Sequence, residues 1–241
     1  MHRISYDFHL HSCLSPCGDD DMTPGNIVGM ASLIGLDAIA LTDHNSCKNC
    51  PAFMDFAKQN GILAIPGMEL NTLEEVHVLC FFPTLEQAMA FDSYVEKRIM
   101  PIPNRPEFFG NQIIADSSDE PCGTVDTLLI SATDISFNDV YDIVTSYGGI
   151  MVPAHLDKSS TSLLSNLGFV PPESQFHAAE VKDIASIEPL KKQHSYLEFC
   201  HFLCSSDAHS LDAIHDPLHI LHVEERSIEG ILTAINRKHS L

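Results

Sequence analysis

The sequence lacks a hydrophobic run long enough to cross a bilayer. Its longest apolar stretch, Ile27 to Leu36, contains two glycines and stops at Asp37, whereas a membrane-spanning helix needs about 20 apolar residues. The N-terminal segment enters a strand-like run directly and has no apolar signal-peptide core. We therefore expect a protein of the cytoplasm that has no membrane partner.

Basic residues are scarce. Thirteen Lys and Arg stand against 33 Asp and Glu, which gives a formal net charge of −20. Nucleic-acid affinity comes largely from Lys and Arg that neutralise phosphates, so this charge predicts no general nucleic-acid binding. A small phosphorylated substrate needs only local positive charge, and several divalent ions in one site would supply it.

Eight cysteines are present without a secretory context that would indicate a disulfide framework. We interpret most of them as reduced thiols. Cys13 and Cys17 follow one histidine motif, and Cys47 and Cys50 follow another. These four are either buried thiols, ligands of a structural zinc or iron–sulfur cluster, or partners in a redox-sensitive disulfide.

Short apolar runs alternate with helix-like segments, a pattern typical of an α/β fold with a mainly parallel sheet. Thr23 and Pro24 predict the start of a helix that runs to Gly35. Residues 100–123 interrupt the alternation with four prolines, which predicts an irregular excursion within one domain spanning residues 1–241. Strands are predicted at Ile4–Leu10, Asp37–Thr42, Ile62–Pro66, Val76–Phe82, 149–155, 177–183, Phe202–Ser205 and Ile220–Val223, and further helices at Pro51–Gln59, Leu85–Arg98, Phe137–Tyr147 and Ile228–Arg237.

Potential metal ligands lie where the predicted strands end. His9 and His11 fall on the same face of the first strand, because side chains alternate along a strand. In α/β barrels the C-terminal ends of the strands face one common mouth, so ligands from several strand ends should converge there. Imidazole and carboxylate ligands together suit Zn, Mn or Fe. The full set consists of His9, His11, His44, Glu69, His77, His155, Asp207 and His209.

Taken together, these segments resemble the PHP (polymerase and histidinol phosphatase) family. The resemblance rests on DFHLHS at 7–12, LTDHN at 41–45, PGME at 66–69, VHVL at 76–79, PAH at 153–155 and SDAH at 206–209. It runs from the first strand to about residue 210. It implies a distorted (β/α)7 barrel, two to three divalent ions at the C-terminal ends of the strands, and phosphoesterase activity.

The resemblance also implies a metal-binding role for individual residues. Glu69 matches the carboxylate that bridges two ions, and His77 and His155 match the remaining ligands of the second ion. A further ligand should lie shortly before the first helix, where counting back from Pro24 favours Asp19 and leaves Asp20 as an alternative. The other matched ligands are His9, His11, His44, Asp207 and His209.

The expected activity is hydrolysis of a small phosphomonoester or nucleotide. Two ions bridged by Glu69 would hold a shared water and lower its pKa towards neutrality, so that hydroxide is the nucleophile. The ions would also neutralise charge that develops on the phosphoryl group. We therefore predict catalytic roles for His9, His11, Glu69 and Asp207, with Asp43 as a residue that supports the site or handles protons.

Two cations are candidates for binding the substrate phosphate, although an ordinary surface residue is the preferred interpretation of each. Lys158 follows His155 by three residues, and Arg105 lies in the excursion. Two other functions stay open. One is a metal amidohydrolase, whose carboxylated lysine would be Lys182, and the other is a metal-binding regulatory domain without turnover. Substrate, metal and oligomeric state are not fixed by the sequence.

Overall fold

The structure, a computed structural model, describes residues 1–214 and 216–237. Eight of its ten strands coincide with predicted apolar segments, and the other two lie in the excursion. The strands are β1 (His2–Leu10), β2 (Ala38–Leu41), β3 (Leu63–Asn71), β4 (His77–Phe81), β5 (Ile113–Ala115), β6 (Pro121–Thr124), β7 (Ile150–Pro153), β8 (Ala178–Glu180), β9 (His201–Leu203) and β10 (Ile220–Val223). Six of them form a curled sheet in the order β10-β1-β2-β3-β4-β7.

The five helices predicted from the sequence begin and end within three residues of the predicted bounds, whereas three shorter helices were not predicted. In α1, the Thr23 side chain accepts a hydrogen bond from the Asn26 amide, Pro24 opens the first turn, and Gly35 ends the helix at φ 83°. A left-handed conformation of this kind favours glycine, which has no Cβ. The helices are α1 (Pro24–Ile34), α2 (Cys50–Asn60), α3 (Leu85–Val95), α4 (Pro106–Phe109), α5 (Phe137–Ser146), α6 (Leu163–Leu167), α7 (Ile187–Gln193) and α8 (Ile228–Ile235).

The sheet is mixed, so the expectation of a mainly parallel sheet was wrong. Strands β1, β2 and β3 are parallel, whereas β4 is antiparallel to both β3 and β7, and β10 is antiparallel to β1. The connection from β3 to β4 is too short for a crossover helix, so the chain can only return alongside itself. As a result, the first residue of β4, His77, lies at the same end of the sheet as the last residues of β1.

A separate parallel pair, β8 and β9, lies between β7 and β1. The Leu156 amide, just beyond β7, donates to the carbonyl of Glu180 at the end of β8. After β9, an isolated bridge joins Ala208 to Leu10 at the end of β1. The mixed α/β class is confirmed, and the sheet curls into a half-barrel. Closure into seven βα units stays a prediction, because the ladder between β7, β8 and β1 is incomplete.

Two apolar clusters lie on the two faces of the sheet. One joins α1, α2 and α3 to it, with Phe53 and Phe91 fully buried. The other contains Phe8 and Phe81, whose rings meet edge to face at 6.2 Å, together with residues of α8. Burying an aromatic side chain of this size contributes about 2–3 kcal/mol. Packing on both faces fixes the strands whose ends carry the predicted ligands.

The excursion at 100–123 is an insertion with its own secondary structure, which consists of α4 and the hairpin β5–β6. Buried amide side chains fasten it to the rest of the molecule. Asn49 donates to the Ile113 carbonyl at 3.1 Å and accepts from the Ala115 amide at 2.9 Å. The Ile113 amide donates to the carbonyl of Cys13, two residues after His11, at 2.8 Å. The insertion therefore packs against the loops that carry the predicted ligands.

Within the described ranges, no helix is long and apolar enough to cross a membrane. Cytoplasmic location stays a prediction.

Candidate metal centre

The predicted ligands come together at one end of the curled sheet. His9 and His11 lie at the end of β1, His44 follows β2, and His155 follows β7. Glu69 lies within β3, which continues to Asn71 and is longer than predicted. Two residues before it, Gly67 allows close approach of the neighbouring strands, since a Cβ there would lie 2.9 Å from the Cys80 carbonyl oxygen.

Glu69 is the centre of the arrangement, and five imidazoles surround its carboxylate. Its Oε1 lies 3.3 Å from His9 Nε2, 2.9 Å from His77 Nδ1 and 3.1 Å from His155 Nε2. Its Oε2 lies 3.4 Å from His11 Nε2 and 3.0 Å from His44 Nδ1. All six side chains are buried. A carboxylate in this position could bridge two ions.

Asp207 and His209 add a second carboxylate and a further imidazole to the cluster. Asp207 Oδ1 lies 3.4 Å from both His9 Nε2 and His11 Nε2. The His209 ring stacks on the His11 ring with centroids 4.2 Å apart. The backbone of Asp207 has a positive φ of 55°, as does that of His155 at 31°. Such backbone strain in residues other than glycine is frequent at functional sites.

The donor set fits divalent metal ions. Three overlapping groups each bring three ligand atoms within 4.8 Å of one another, namely His9–His11–Glu69, His44–Glu69–His77 and His11–His44–His209. Buried polar atoms normally have hydrogen-bond partners, and each unpaired one costs about 1–3 kcal/mol. Metal ions would satisfy the unpaired atoms at the Glu69 carboxylate together. These atoms are Nε2 of His9 and His11, Nδ1 of His44 and Oε2 of Glu69.

The acidic segment after Cys17 lies beside this cluster. The Asp19 amide donates to the His209 carbonyl at 2.9 Å, but the Asp19 carboxylate is exposed and belongs to none of the three groups. The Asp20 carboxylate accepts a hydrogen bond from Nδ2 of Asn111 at 2.9 Å, so it is bonded to the excursion. Asp19 as a ligand stays a prediction, and its position next to His209 is compatible with it.

Two sets of residues orient the first histidine pair. Glu180 Oε2 lies 2.8 Å from His9 Nδ1 and also accepts from the His155 amide at 3.1 Å. On the other side, Ser15 Oγ lies 3.0 Å from His11 Nδ1 and donates to Asp43 at 2.7 Å. Partners of this kind fix the Nδ1 proton and direct the Nε2 lone pair at the metal.

Glu180 was not singled out from the sequence. The one signal for it is a carboxylate at the end of an apolar strand, and the carboxylate proved to be fully buried. Asp43, by contrast, was predicted to support the site, and its contacts through Ser15 are those of a supporting residue.

Charge in the cluster is balanced among its members. Burial alone would raise the pKa of Glu69, but the charges of His77, His9 and His44 hold that pKa well below its usual range. Burial likewise opposes protonation of His9, but Glu180 and Glu69 raise its pKa well above the ordinary value. Burial lowers the pKa of His44 to about 3. Without metal, the cluster therefore binds protons that metal ions would displace.

Two lysines lie at the exposed edge of the cluster. Lys158 Nζ is 3.3 Å and Lys182 Nζ is 3.7 Å from Asp207 Oδ2, and Lys182 also donates to the Ser206 carbonyl. The structure thus brings Lys158 to the site, as predicted. Glu69, not Lys182, occupies the position between the histidines. This arrangement does not favour the carboxylated lysine of an amidohydrolase.

Arg105 precedes α4 and is exposed. Among the described residues, its side chain has no hydrogen bond or ion pair with the cluster. Its role in substrate binding stays a prediction.

The cysteines do not assemble into a second metal site within the described residues, since no group of three ligands within 4.8 Å includes one. The thiols of Cys47 and Cys50 both point to the Gly67 carbonyl, at 3.2 and 3.6 Å. Cys13 contacts the Ile113 carbonyl at 3.7 Å, and Cys17 is exposed. Burial raises the pKa of Cys13 to about 12. The interpretation as mainly buried thiols agrees with these contacts.

Comparison with known families decides the classification. The profile of the PHP domain matches residues 7–156, which carry most of the ligand motifs. This chain belongs to the PHP family. Membership confirms the class predicted from the sequence, a metal-dependent hydrolase.

Other PHP-like proteins show how widely this fold is used. The 5′–3′ exoribonuclease Rnm of Salmonella typhimurium is 31% identical over 78 residues, which is 32% of this chain and 26% of the exoribonuclease. Endonuclease Q of Pyrococcus furiosus has a TM-score of 0.68 at 20% identity, over 98% of this chain and 56% of that one. A protein of Bifidobacterium adolescentis described as a metal-dependent phosphoesterase has a TM-score of 0.55 at 18% identity, over 85% and 87%. The chain therefore spans about half of endonuclease Q.

The expectation of a small substrate and no general nucleic-acid binding was wrong. Endonuclease Q with the same fold has been seen bound to a 27-mer DNA duplex, and the relative from Salmonella is named as an exoribonuclease. Net charge averages over the whole surface, whereas a phosphate meets only the charge around it. Two lysines and bound divalent ions can make that local charge positive in a protein of net charge −20.

Proposed function

We propose that this PHP protein is a metal-dependent phosphoesterase that hydrolyses phosphate esters of nucleotides, free or within a nucleic acid. The observation that carries the proposal is the Glu69 carboxylate, which has a ring nitrogen of each of five imidazoles within 3.4 Å. The relatives named as nucleases and as a phosphoesterase support the choice of ester. We also propose that residues 1–241 act as one domain, since the excursion is bonded to ligand-bearing loops.

Two to three divalent ions, Mn, Zn or Fe, would be held by three sets of residues. The first set is His9, His11, Glu69 and Asp207, the second is Glu69, His77 and His155, and the third is His44, His209 and Asp19. When bound, the ions would supply positive charge for the phosphoryl oxygens and lower the pKa of water in the site.

The protein's own residues would hold and orient the reacting groups. Glu180 retains the proton on His9 Nδ1, and Ser15 retains that on His11 Nδ1, so that both Nε2 atoms stay free to bind metal. Lys158 and Lys182 would leave Asp207 for the phosphate oxygens, since a cation stabilises the charge that develops there. Burial of the histidines excludes bulk water from the reacting centre.

The test is release of phosphate or of nucleotide products by the protein reconstituted with Mn. Substrates are glycerol phosphate, nucleoside monophosphates, and short DNA and RNA with a 5′-phosphate. His9→Ala should lower turnover by at least about 100-fold, because it removes a ligand of the bridged pair. The matched control is His222→Ala, an exposed histidine of β10, which should match the wild type. Turnover that survives in His9→Ala, or no turnover by metal-loaded wild type, would refute the proposal.

A further inference from the structure

A groove lies beside the metal centre, at the carboxyl ends of β7 and β8. Its volume is about 730 Å³, within the range of sites that bind small ligands. The loop after β7 and helix α6 form one wall, and the segment from Asp183 through α7 forms the other. Ligands in α/β folds bind outside the carboxyl ends of the strands, where this groove lies.

The groove is continuous with the metal centre through Lys158. This lysine lines the groove, and its Nζ lies 3.3 Å from Asp207 Oδ2. The wall that carries it begins at Leu156, directly after His155. A phosphate bound by the ions and by Lys158 would therefore direct the rest of its molecule into the groove.

Hydrogen bonds from side chains to backbone amides stabilise the end of the groove nearest the metal centre. Asp157 accepts hydrogen bonds from the amides of Lys182 and Asp183, at 2.8 and 2.9 Å. These bonds tie one wall to the other. The Asp183 side chain in turn accepts from the Ala185 amide at 2.9 Å, which fixes the turn before α7. The groove therefore keeps its width before a ligand arrives, which reduces the entropy cost of binding.

The lining of the groove contains few charges. Lys158 is the one lysine or arginine among the described residues that line it, and two carboxylates, Asp157 and Asp183, lie at its end nearest the metal centre. A histidine, His194, also lines it, and the remaining polar side chains are uncharged donors and acceptors, such as Ser186 and Gln193. Apolar surface comes from Leu164, Pro189 and Leu190.

From these observations we infer that the groove binds the nucleoside part of the substrate, with its phosphate on the metal centre. The polar side chains would bond the sugar and the edge of the base, and the apolar wall would pack against the flat face of the base. This inference rests on the proposed function and names the substrate more closely.

The test places a bulky side chain in the groove and compares a substrate that contains a nucleoside with one that does not. Ser186 has a half-buried side chain in the groove, and Ser186→Trp would occupy the space of the base. The ratio of kcat/KM for adenosine 5′-monophosphate to that for glycerol phosphate should fall about tenfold, mainly through KM. The control is Ser32→Trp, an exposed serine of α1, which should leave the ratio unchanged.

A second measurement tests binding in the groove independently of hydrolysis. Binding of adenosine, which has no phosphate, is followed by ligand-observed NMR on the full chain. Binding that Ser186→Trp abolishes and Ser32→Trp keeps would support the groove, even if no ester were hydrolysed and the proposed function failed. An unchanged ratio, or no adenosine binding by the wild type, would overturn the inference while leaving turnover of glycerol phosphate as support for a phosphoesterase.

Discussion

Glu180 is a buried carboxylate that faces a ring nitrogen of His9, with the reacting end of that ring on the opposite side. An imidazole can bind a metal through either nitrogen, and the hydrogen bond at one nitrogen decides which of them is free. The same carboxylate fixes the backbone of His155. One side chain therefore sets the geometry of ligands from two strands.

We predict that Glu180→Leu lowers the affinity for Mn by about 10- to 100-fold, because the Nδ1 proton of His9 loses its acceptor. Glu180→Gln should lose less, since the amide oxygen can still accept. Affinity is measured by competition with a chelator. The control is Glu198→Leu, at an exposed site, which should bind Mn as the wild type does. Equal affinity in all variants would show that Glu180 has no part in orienting His9.

Helix α5 offers a prediction at the scale of an element. The Glu74 carboxylate lies at its start, where it accepts from the Phe137 amide at 2.8 Å and from Ser136 Oγ at 2.7 Å. Burial would raise the pKa of Glu74, but these hydrogen bonds outweigh it and lower that pKa below its ordinary value. A carboxyl group with a depressed folded pKa adds stability above its unfolded pKa and loses it as pH falls through the folded pKa.

Glu74→Gln should therefore lower the free energy of unfolding by about 0.5–1 kcal/mol at pH 7, a figure that allows for solvent screening of a half-buried group. The difference from wild type should shrink as pH falls below about 4.5, where the unfolded carboxyl group becomes protonated. Urea unfolding at pH 7 and at pH 3.5 measures both values. Glu75→Gln, at the exposed neighbour, is the control. A difference that stays constant between the two pH values would contradict the pKa argument.

Elements with local signals could be predicted from the sequence. The bounds of α1 follow from Thr23, Pro24 and Gly35, whose effects act within a turn of the helix. Strand β10 was predicted with its observed bounds. The direction of β4 was missed because β3 was predicted to end at Pro66. Its extension to Asn71 leaves a connection to β4 that is too short for a crossover helix. His77 nevertheless reached the predicted site, since the reversed strand starts where its parallel neighbours end.

The candidate site likewise contains residues that could be predicted from local sequence patterns and residues that could not. The histidines, Glu69 and Asp207 were found because ligand residues near strand ends form a pattern visible in the sequence. Glu180 was not found, because its role depends on His9, which is distant in sequence and adjacent only after folding. The groove at Ser186 could not be predicted either, as it is formed by two connections whose walls meet only in three dimensions.

At the scale of the whole molecule, metal binding should contribute to stability. A ligand that binds only the folded state at 100 times its Kd adds about 2.7 kcal/mol, which for a chain of this size corresponds to about 5–10 °C in Tm. Mn should therefore raise the Tm of the chelator-treated protein by that amount, as followed by differential scanning fluorimetry. His9→Ala should respond far less and His222→Ala fully. An equal rise in His9→Ala would place the stabilising ion elsewhere.

The ligands that surround Glu69 come from strands and loops distributed from the end of β1 to the segment after β9. During synthesis, a ribosome releases His9 and His11 first and Asp207 and His209 among the last of them. Early segments offer only pairs of histidines, which bind ions weakly and without choice. The complete centre forms once the segment from His9 to His209 has emerged and folded. Which metal it acquires is then decided by the ions that surround the finished molecule, and the cell's metal supply becomes a determinant of its activity.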